Sequence, residues 1–297
     1  MPSIQAKVLN RIARISIKSI HGSQSSFVKR FRLVTGASSL LAPVPKGLKH
    51  LKGQLGGVPG EWLIPVNPRG ALLYIHGGAY VSGSPPMYRH FCGALANALG
   101  LRVFMVDYRL APENPFPAPY DDCVAAFDAL VKDTPDGEPI VVGGDSAGGN
   151  LSLAVLQHAV KTKQVVAAGV LISPGLDMRC LSPSIQRNND TDSMLSVHII
   201  HHAAHAYLNG HKATDPKASS LLGNMKGLPP ILVSASESEC LYDDAELLKE
   251  AVEAKGGTVQ VLSRPGMPHI WPVMTLMLPE AKEDLKTIIG FLTPLTQ

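Results

Sequence analysis

The strongest chemical signal in the chain is Gly144-Asp145-Ser146-Ala147-Gly148-Gly149-Asn150. It follows an apolar run at 140–142 and precedes a run of good helix formers at 151–159. A serine between glycines in that strand–turn–helix setting is a nucleophile on a tight turn. Gly144 and Gly148 let strand and helix approach, and the helix amino end aims free N–H groups at a developing oxyanion. Without that setting the same pattern is a Gly-rich turn with a surface serine. A second piece is His76-Gly77-Gly78-Ala79-Tyr80, just after an apolar run at 71–75. Two glycines at a strand end expose backbone donors. Gly77 and Gly78 can aim at the same oxygen as the amide of Ala147. Each donor of this kind contributes roughly 3–4 kcal/mol to the barrier reduction. His76 reads as a brace for this loop rather than as a base.

A serine hydroxyl needs a base, and the base needs an orienting group. His269, in Gly266-Met267-Pro268-His269, is the best placed base. It follows a predicted strand at 258–263, at the sheet edge where Ser146 also belongs. Trp271 and Met267 flank it and serve either an acyl pocket or core packing. The acid should follow a strand that ends near Ser234, where Glu237, Glu239, Asp243 and Asp244 stand. The order Ser, acid, His suits an α/β hydrolase, but spacing does not choose among the four. Asp243 also suits a first-turn helix acid. His198, His201, His202, His205 and His211 cluster elsewhere. The pairs His198/His202 and His201/His205 have metal-ligand spacing but no suitably spaced carboxylate or thiol, so they read as a lid helix. No metal and no cofactor is expected.

These groups need a scaffold. Apolar runs at 71–75, 102–107, 139–143, 168–173, 230–234 and 258–263 predict strands. Helical patterns at 87–99, 119–132, 147–161, 243–254 and 279–292 alternate with them. Continuous apolar runs such as Ile140-Val141-Val142 mark strands buried on both faces. The alternation predicts a mostly parallel sheet flanked by helices on both faces. Residues 51–65 read as an antiparallel lead-in. Two stretches break the pattern, at about 1–45 and 175–225, and the second holds a helical stretch at 196–208. Together they could form one cap over the carboxyl edge, where ligands bind in open α/β folds. The expected division is 1–45 for the N-terminal part of the cap, 46–174 for the first catalytic part, 175–225 for the cap insertion, and 226–297 for the second catalytic part.

Charge is unevenly spread over the 297 residues. Residues 1–60 carry ten Lys/Arg and no acid, leaving 17 bases against 24 acids in the remainder. A mildly acidic body excludes a uniformly basic nucleic-acid binder, and 45% hydrophobic residues exclude a disordered chain. No apolar run reaches the roughly 20 residues that a spanning helix needs, so no stable membrane insertion is expected. No secretory h-region is visible in residues 1–30. The separated Cys92, Cys123, Cys180 and Cys240 suit reduced thiols in a cytoplasmic compartment. On a helix over 4–20, Lys7, Arg11, Arg14 and Lys18 form one stripe beside and opposite Ile4, Val8, Leu9, Ile12 and Ile15. A lid, an anionic-surface contact and a transit peptide all fit such a helix.

Three blocks in order, His76-Gly77-Gly78-Ala79-Tyr80, Tyr108-Arg109-Leu110-Ala111-Pro112-Glu113 and the Ser146 heptapeptide, resemble the bacterial hormone-sensitive-lipase-like esterases of the α/β-hydrolase superfamily. Gly266-Met267-Pro268-His269 is a fourth, weaker block. The resemblance implies an α/β-hydrolase fold with a mostly parallel central sheet and a helical cap. It also implies a Ser146 nucleophile, a His269 base, and oxyanion donors at Gly77, Gly78 and Ala147. The family's acid stands as Asp in D-P-L-x-D-E; here the stretch is Glu239-Cys240-Leu241-Tyr242-Asp243-Asp244, so Glu239 takes its place. Ala79 departs from the family's third glycine. The block at 108–113 suits bracing rather than substrate contact.

The implied function is a serine carboxylesterase for small, short-acyl esters, with an acyl-enzyme intermediate and no cofactor. An amidase or deacetylase on the same fold is the nearest alternative. A noncatalytic small-molecule-binding module is the next, and the presence of His269 argues against it. Relatives often dimerise through sheet edges, so a homodimer fits the resemblance. A family that builds its cap from the N-terminus makes residues 4–20 a retained lid helix. Its aliphatic face is then expected over the pocket and its basic stripe toward water.

Overall fold

The computed structural model describes residues 1–38 and 43–297; residues 39–42 of the expected N-terminal cap segment lie outside the described residues. The strands are β1 (Lys49–Leu55), β2 (Val58–Ile64), β3 (Ala71–Ile75), β4 (Arg102–Val106), β5 (Ile140–Asp145), β6 (Ala168–Ile172), β7 (Ile231–Ser236) and β8 (Val259–Arg264). They form one sheet in the order β1-β2-β4-β3-β5-β6-β7-β8. β1 and β2 are antiparallel, as are β2 and β4, while β3 to β8 run parallel. Every residue of β3, β5, β6 and β7 is buried, which is why β3, β6 and the first three residues of β5 and β7 read as apolar runs.

The helices are α1 (Ile4–Ala13), α2 (Gln24–Ser38), α3 (Arg89–Leu99), α4 (Ala118–Asp133), α5 (Ala147–Thr162), α6 (Ser184–Arg187), α7 (Val197–Leu208), α8 (Tyr242–Glu253) and α9 (Pro279–Leu292). Alternate strand residues face opposite sides of the sheet. Leu72 and Tyr74 join Phe91 and Leu95 of α3 and Ile288 and Leu292 of α9. Leu73 and Ile75 join Phe127 of α4 and Leu151 and Val155 of α5 on the other side. Burying each such side chain contributes about 1.5–3 kcal/mol.

Strand order reverses around β3, between β4 and β5. The crevice past the carboxyl ends of such strands is where open α/β sheets bind ligands. Ile75 pairs with Gly144 across β3 and β5, so the loop at His76 and the turn at Ser146 leave the sheet side by side.

Outside the sheet, the N-terminal segment and the 175–225 insertion meet. Gln24 of α2 donates to the His202 carbonyl of α7 at 2.8 Å, and Phe27 stacks on the His202 ring. α7 is capped by Ser196, whose hydroxyl accepts from the Ile199 amide. The single helix expected over 4–20 is α1 followed by a wider π turn, Arg14–Lys18. α2 lies where no element is expected. Its signal is the apolar set Phe27, Val28 and Phe31, all buried in the main core.

The orientation of α1 reverses the expectation. Ile4, Val8, Ile12 and Ile15 are exposed, while Ala6 and Ala13 are buried. Small alanines let the helix lie close, and polar groups hold it there. Asn10 donates to the Gly266 carbonyl and accepts from Ser193. Arg14 donates to the carbonyls of Asp190 and Thr191, and Lys18 to those of Asn189 and Asp192. Part of the basic stripe is therefore the attachment, and the aliphatic row is the outside.

Candidate active site

Ser146 sits between β5 and α5 with φ 52°, a left-handed backbone that a non-glycine residue adopts only under constraint. The constraint is visible in its neighbours. A Cβ on Gly144 would strike the Ile75 carbonyl, and one on Gly148 would strike the carbonyls of Ile75 and His76. Only glycines allow β3, the turn and α5 to approach this closely.

His269 lies beyond β8 and is 4% exposed; Glu239 lies beyond β7 and is 1% exposed. His269 Nε2 meets Ser146 Oγ at 2.9 Å, and Nδ1 meets Glu239 Oε2 at 2.5 Å. Glu239 Oε1 accepts the Ser236 amide at 2.8 Å, which fixes the carboxylate plane. Burial pushes the His269 pKa down, but the Glu239 charge and hydrogen bond, with Asp192 and Asp145 behind them, bring the net shift upward. The other acids are engaged elsewhere. Asp243 pairs with Arg187 and accepts the Ser184 amide. Asp244 accepts from the Leu176 amide and Ser182. The Glu237 carboxylate meets the Ser263 hydroxyl at 3.5 Å.

The 175–225 insertion holds the acid loop in place, which the motifs do not announce. Asn188 donates to the carbonyls of Glu237 and Glu239, and Asp192 accepts the Cys240 amide at 2.8 Å.

Gly77 departs from its expected role. Its N–H donates to Asp145 Oδ1 at 3.0 Å and to the Tyr88 hydroxyl at 3.1 Å. Asp145 also accepts from Tyr74 and Tyr88, each at 3.0 Å. Buried among these donors, its pKa is raised to about 6 by burial, against the pull of its hydrogen bonds. Gly77 thus anchors the loop to β5 and has no N–H left for an oxyanion. Among the described residues, the amides of Gly78, Ala79 and Ala147 have no protein acceptor. Ala79 is the residue that motif reading misses. It takes φ 57°, a glycine-like conformation in the place of the absent third glycine. His76 braces the loop through Nδ1 and the Gly77 carbonyl at 2.7 Å, and burial holds its pKa down at about 4. Tyr108 supports it from below, stacking on His76 and donating to its carbonyl. Arg109 pairs with Asp122 rather than reaching the pocket.

A pocket of about 510 Å³, counted to its open mouth, joins Ser146, Ala147 and Ala79. Its apolar wall includes Leu195, Ile199 and Ile200 from the insertion, with Met178 and Leu241. Trp271 and Met267 are not in that wall. They are buried with Ala6, Leu278 and Ala281, and the Trp271 indole donates to Asp284 at 2.7 Å. His198 and His202 pack ring against ring at 4.2 Å. Among the described residues no group of three His, Cys, Asp or Glu is placed to hold a metal, and the four cysteines are free thiols.

A family model described as alpha/beta hydrolase fold matches residues 72–273. The crystal structure of an esterase from the bacterial hormone-sensitive lipase family superposes with a TM-score of 0.89 at 33% identity, covering 100% of both chains. The chain belongs to this family. Two named bacterial enzymes are also similar. An acetyl-hydrolase of Streptomyces hygroscopicus is 35% identical over 82% of this chain and 86% of its own. An esterase of Acinetobacter venetianus is 32% identical over 82% of this chain and 81% of its own. No helix among the described residues is long and apolar enough to cross a membrane.

Proposed function

We propose that the protein is a serine carboxylesterase acting on small, short-acyl esters. The observation that carries this is the hydrogen-bonded line Glu239–His269–Ser146, ending at an apolar pocket beside the amides of Gly78, Ala79 and Ala147, which have no protein acceptor among the described residues. His269 Nε2 takes the Ser146 proton as Oγ attacks the ester carbonyl. The amides of Gly78, Ala79 and Ala147 receive the oxyanion. His269 returns the proton to the departing alkoxide and leaves an acyl-Ser146. Water, losing a proton to His269, attacks the acyl carbon; the acid departs, and Ser146 regains its proton. Glu239 keeps Nδ1 protonated and stabilises the imidazolium. The sequence of steps calls on no cofactor. Residues 175–225, with α2 packed against them through Gln24 and Phe27, serve as the cap and supply the aliphatic wall that favours a short acyl group.

The test is hydrolysis of p-nitrophenyl esters of increasing chain length, with an anilide counterpart. Acetate to butyrate should be preferred over laurate and over the anilide. Ser146→Ala should lose at least about a thousandfold in kcat. Undiminished turnover by that variant, or a preference for the anilide, would overturn the proposal.

A further inference from the structure

The outer face of α1 takes no part in the site. Ile4, Val8, Ile12 and Ile15 are between 53% and 78% exposed, although large aliphatics on an amphipathic helix normally face the core. Ile4, Val8, Leu9 and Ile12 form a shallow apolar groove with Met277, which is itself exposed. Lys7, Arg11 and Arg14 are exposed on the same helix turn by turn. At 100° per residue, Lys7 and Arg11 border the aliphatic row. No acid occurs in the first 60 residues to neutralise them. The helix is attached firmly on its other side, through Ala6, Ala13, Asn10, Arg14 and Lys18.

We propose that this face seats the enzyme peripherally on an anionic lipid surface. The aliphatic row enters the headgroup boundary, and Lys7 and Arg11 meet lipid phosphates. An interfacial helix of this kind binds through buried apolar area together with attraction to anionic lipid. Charge decides the occupant. A second copy of the chain would set one acid-free basic row against another, whereas an anionic bilayer complements both parts of the face. The attachment is a docking, because no helix among the described residues is long enough to span. Since Asn10 also holds the Gly266 carbonyl, three residues before His269, a docked helix carries the catalytic loop with it.

The test is co-sedimentation of the full-length protein with vesicles of phosphatidylcholine containing about a quarter phosphatidylglycerol, against pure phosphatidylcholine. Binding to the anionic vesicles only, weakened as salt shortens the screening length, is the expected result. Val8→Ser with Ile12→Ser should weaken binding about thirtyfold. Lys7→Glu with Arg11→Glu should abolish the preference for anionic vesicles. Both pairs should hydrolyse a soluble acetate ester at the wild-type rate, because these side chains are exposed and outside the pocket. Three outcomes would overturn the proposal: no sedimentation with anionic vesicles, equal sedimentation of the Val8/Ile12 pair, or equal binding to both vesicle types. A concentration-dependent dimer lost in that pair, without vesicle binding, would give the face to a second copy instead. The binding readout needs no turnover, so it stands or falls apart from the esterase reading.

Discussion

Glu239→Gln isolates the electrostatic part of the acid's role from its shape. Oε1 accepts the Ser236 amide at 2.8 Å, and glutamine can keep that bond. Its NH2 group then faces His269 Nδ1, which in the native site lies 2.5 Å from Oε2. Nδ1 must become the acceptor, so the ring proton moves to Nε2. That is the atom that must be bare to take the Ser146 proton. The wrong tautomer costs roughly ten-thousandfold in kcat, or about 5.5 kcal/mol. A second readout is pH. Burial lowers the His269 pKa, but the Glu239 charge and hydrogen bond bring it above its ordinary 6.5. The base works only when neutral, so activity is lost as pH falls through the raised value. Removing the Glu239 charge deletes the largest raising influence and leaves burial, so the acid limb of kcat/KM should move to lower pH. Glu239→Asp retracts the carboxylate by about 1.5 Å and should lose activity less severely. Asp243→Asn is the control. Its ion pair with Arg187 is largely exposed on the arginine side and contributes about 0–1 kcal/mol, and kcat should stay within about twofold. The assay is kcat/KM for p-nitrophenyl acetate from about pH 4 to 9. If Glu239→Gln stayed within about tenfold with an unmoved acid limb, while Asp243→Asn fell further, the orienting role would belong to Asp243.

Three further outcomes concern the loop that carries the donors and the core behind His269. Asp145→Ala leaves two buried donors, the Tyr74 and Tyr88 hydroxyls, without their acceptor and Gly77 with only its bond to Tyr88; it should cost at least about 2 kcal/mol by denaturant melting and lower kcat more than it raises KM. Gly78→Ala should lower kcat at least about tenfold, because φ 121° is strained for alanine and a Cβ would strike the Ser82 carbonyl, whereas Ala79→Gly keeps the N–H at φ 57° and should stay within about twofold. Trp271→Phe removes a buried hydrogen bond to Asp284 and should destabilise by about 2 kcal/mol without changing the ratio of acetate to butyrate turnover; a changed ratio would place the indole in the acyl pocket.

Much of the catalytic body is legible as sequence because its signals are local. A strand buried on both faces is apolar over most of its length, so β3, β6 and the leading halves of β5 and β7 stand out. A nucleophile turn needs its glycines within two residues of the serine, so Ser146 stands out as well. α2 is harder to see because its polar positions outnumber Phe27, Val28 and Phe31, which gain their meaning only from the core they enter.

What the sequence by itself determined is a set of groups and their order: a serine on a tight turn, a histidine after a late strand, four candidate acids after the strand before it, and an amphipathic basic helix at the front. The tertiary structure alone decided among them. Glu239 lies within reach of His269 because β7 and β8 are neighbours and the Ser236 amide turns the carboxylate. The Gly77 amide is taken up because Asp145, 68 residues away, accepts its N–H, whereas Ala79 lines the pocket beside Ser146. The aliphatic face of α1 looks outward because Ala6 and Ala13 fit against the body and Asn10, Arg14 and Lys18 find carbonyls there. Periodicity reports that a helix has two faces, and motif spacing reports which groups share an edge. Hydrogen bonds act over about 3 Å, and which group lies within that reach is set by packing between segments far apart in the chain.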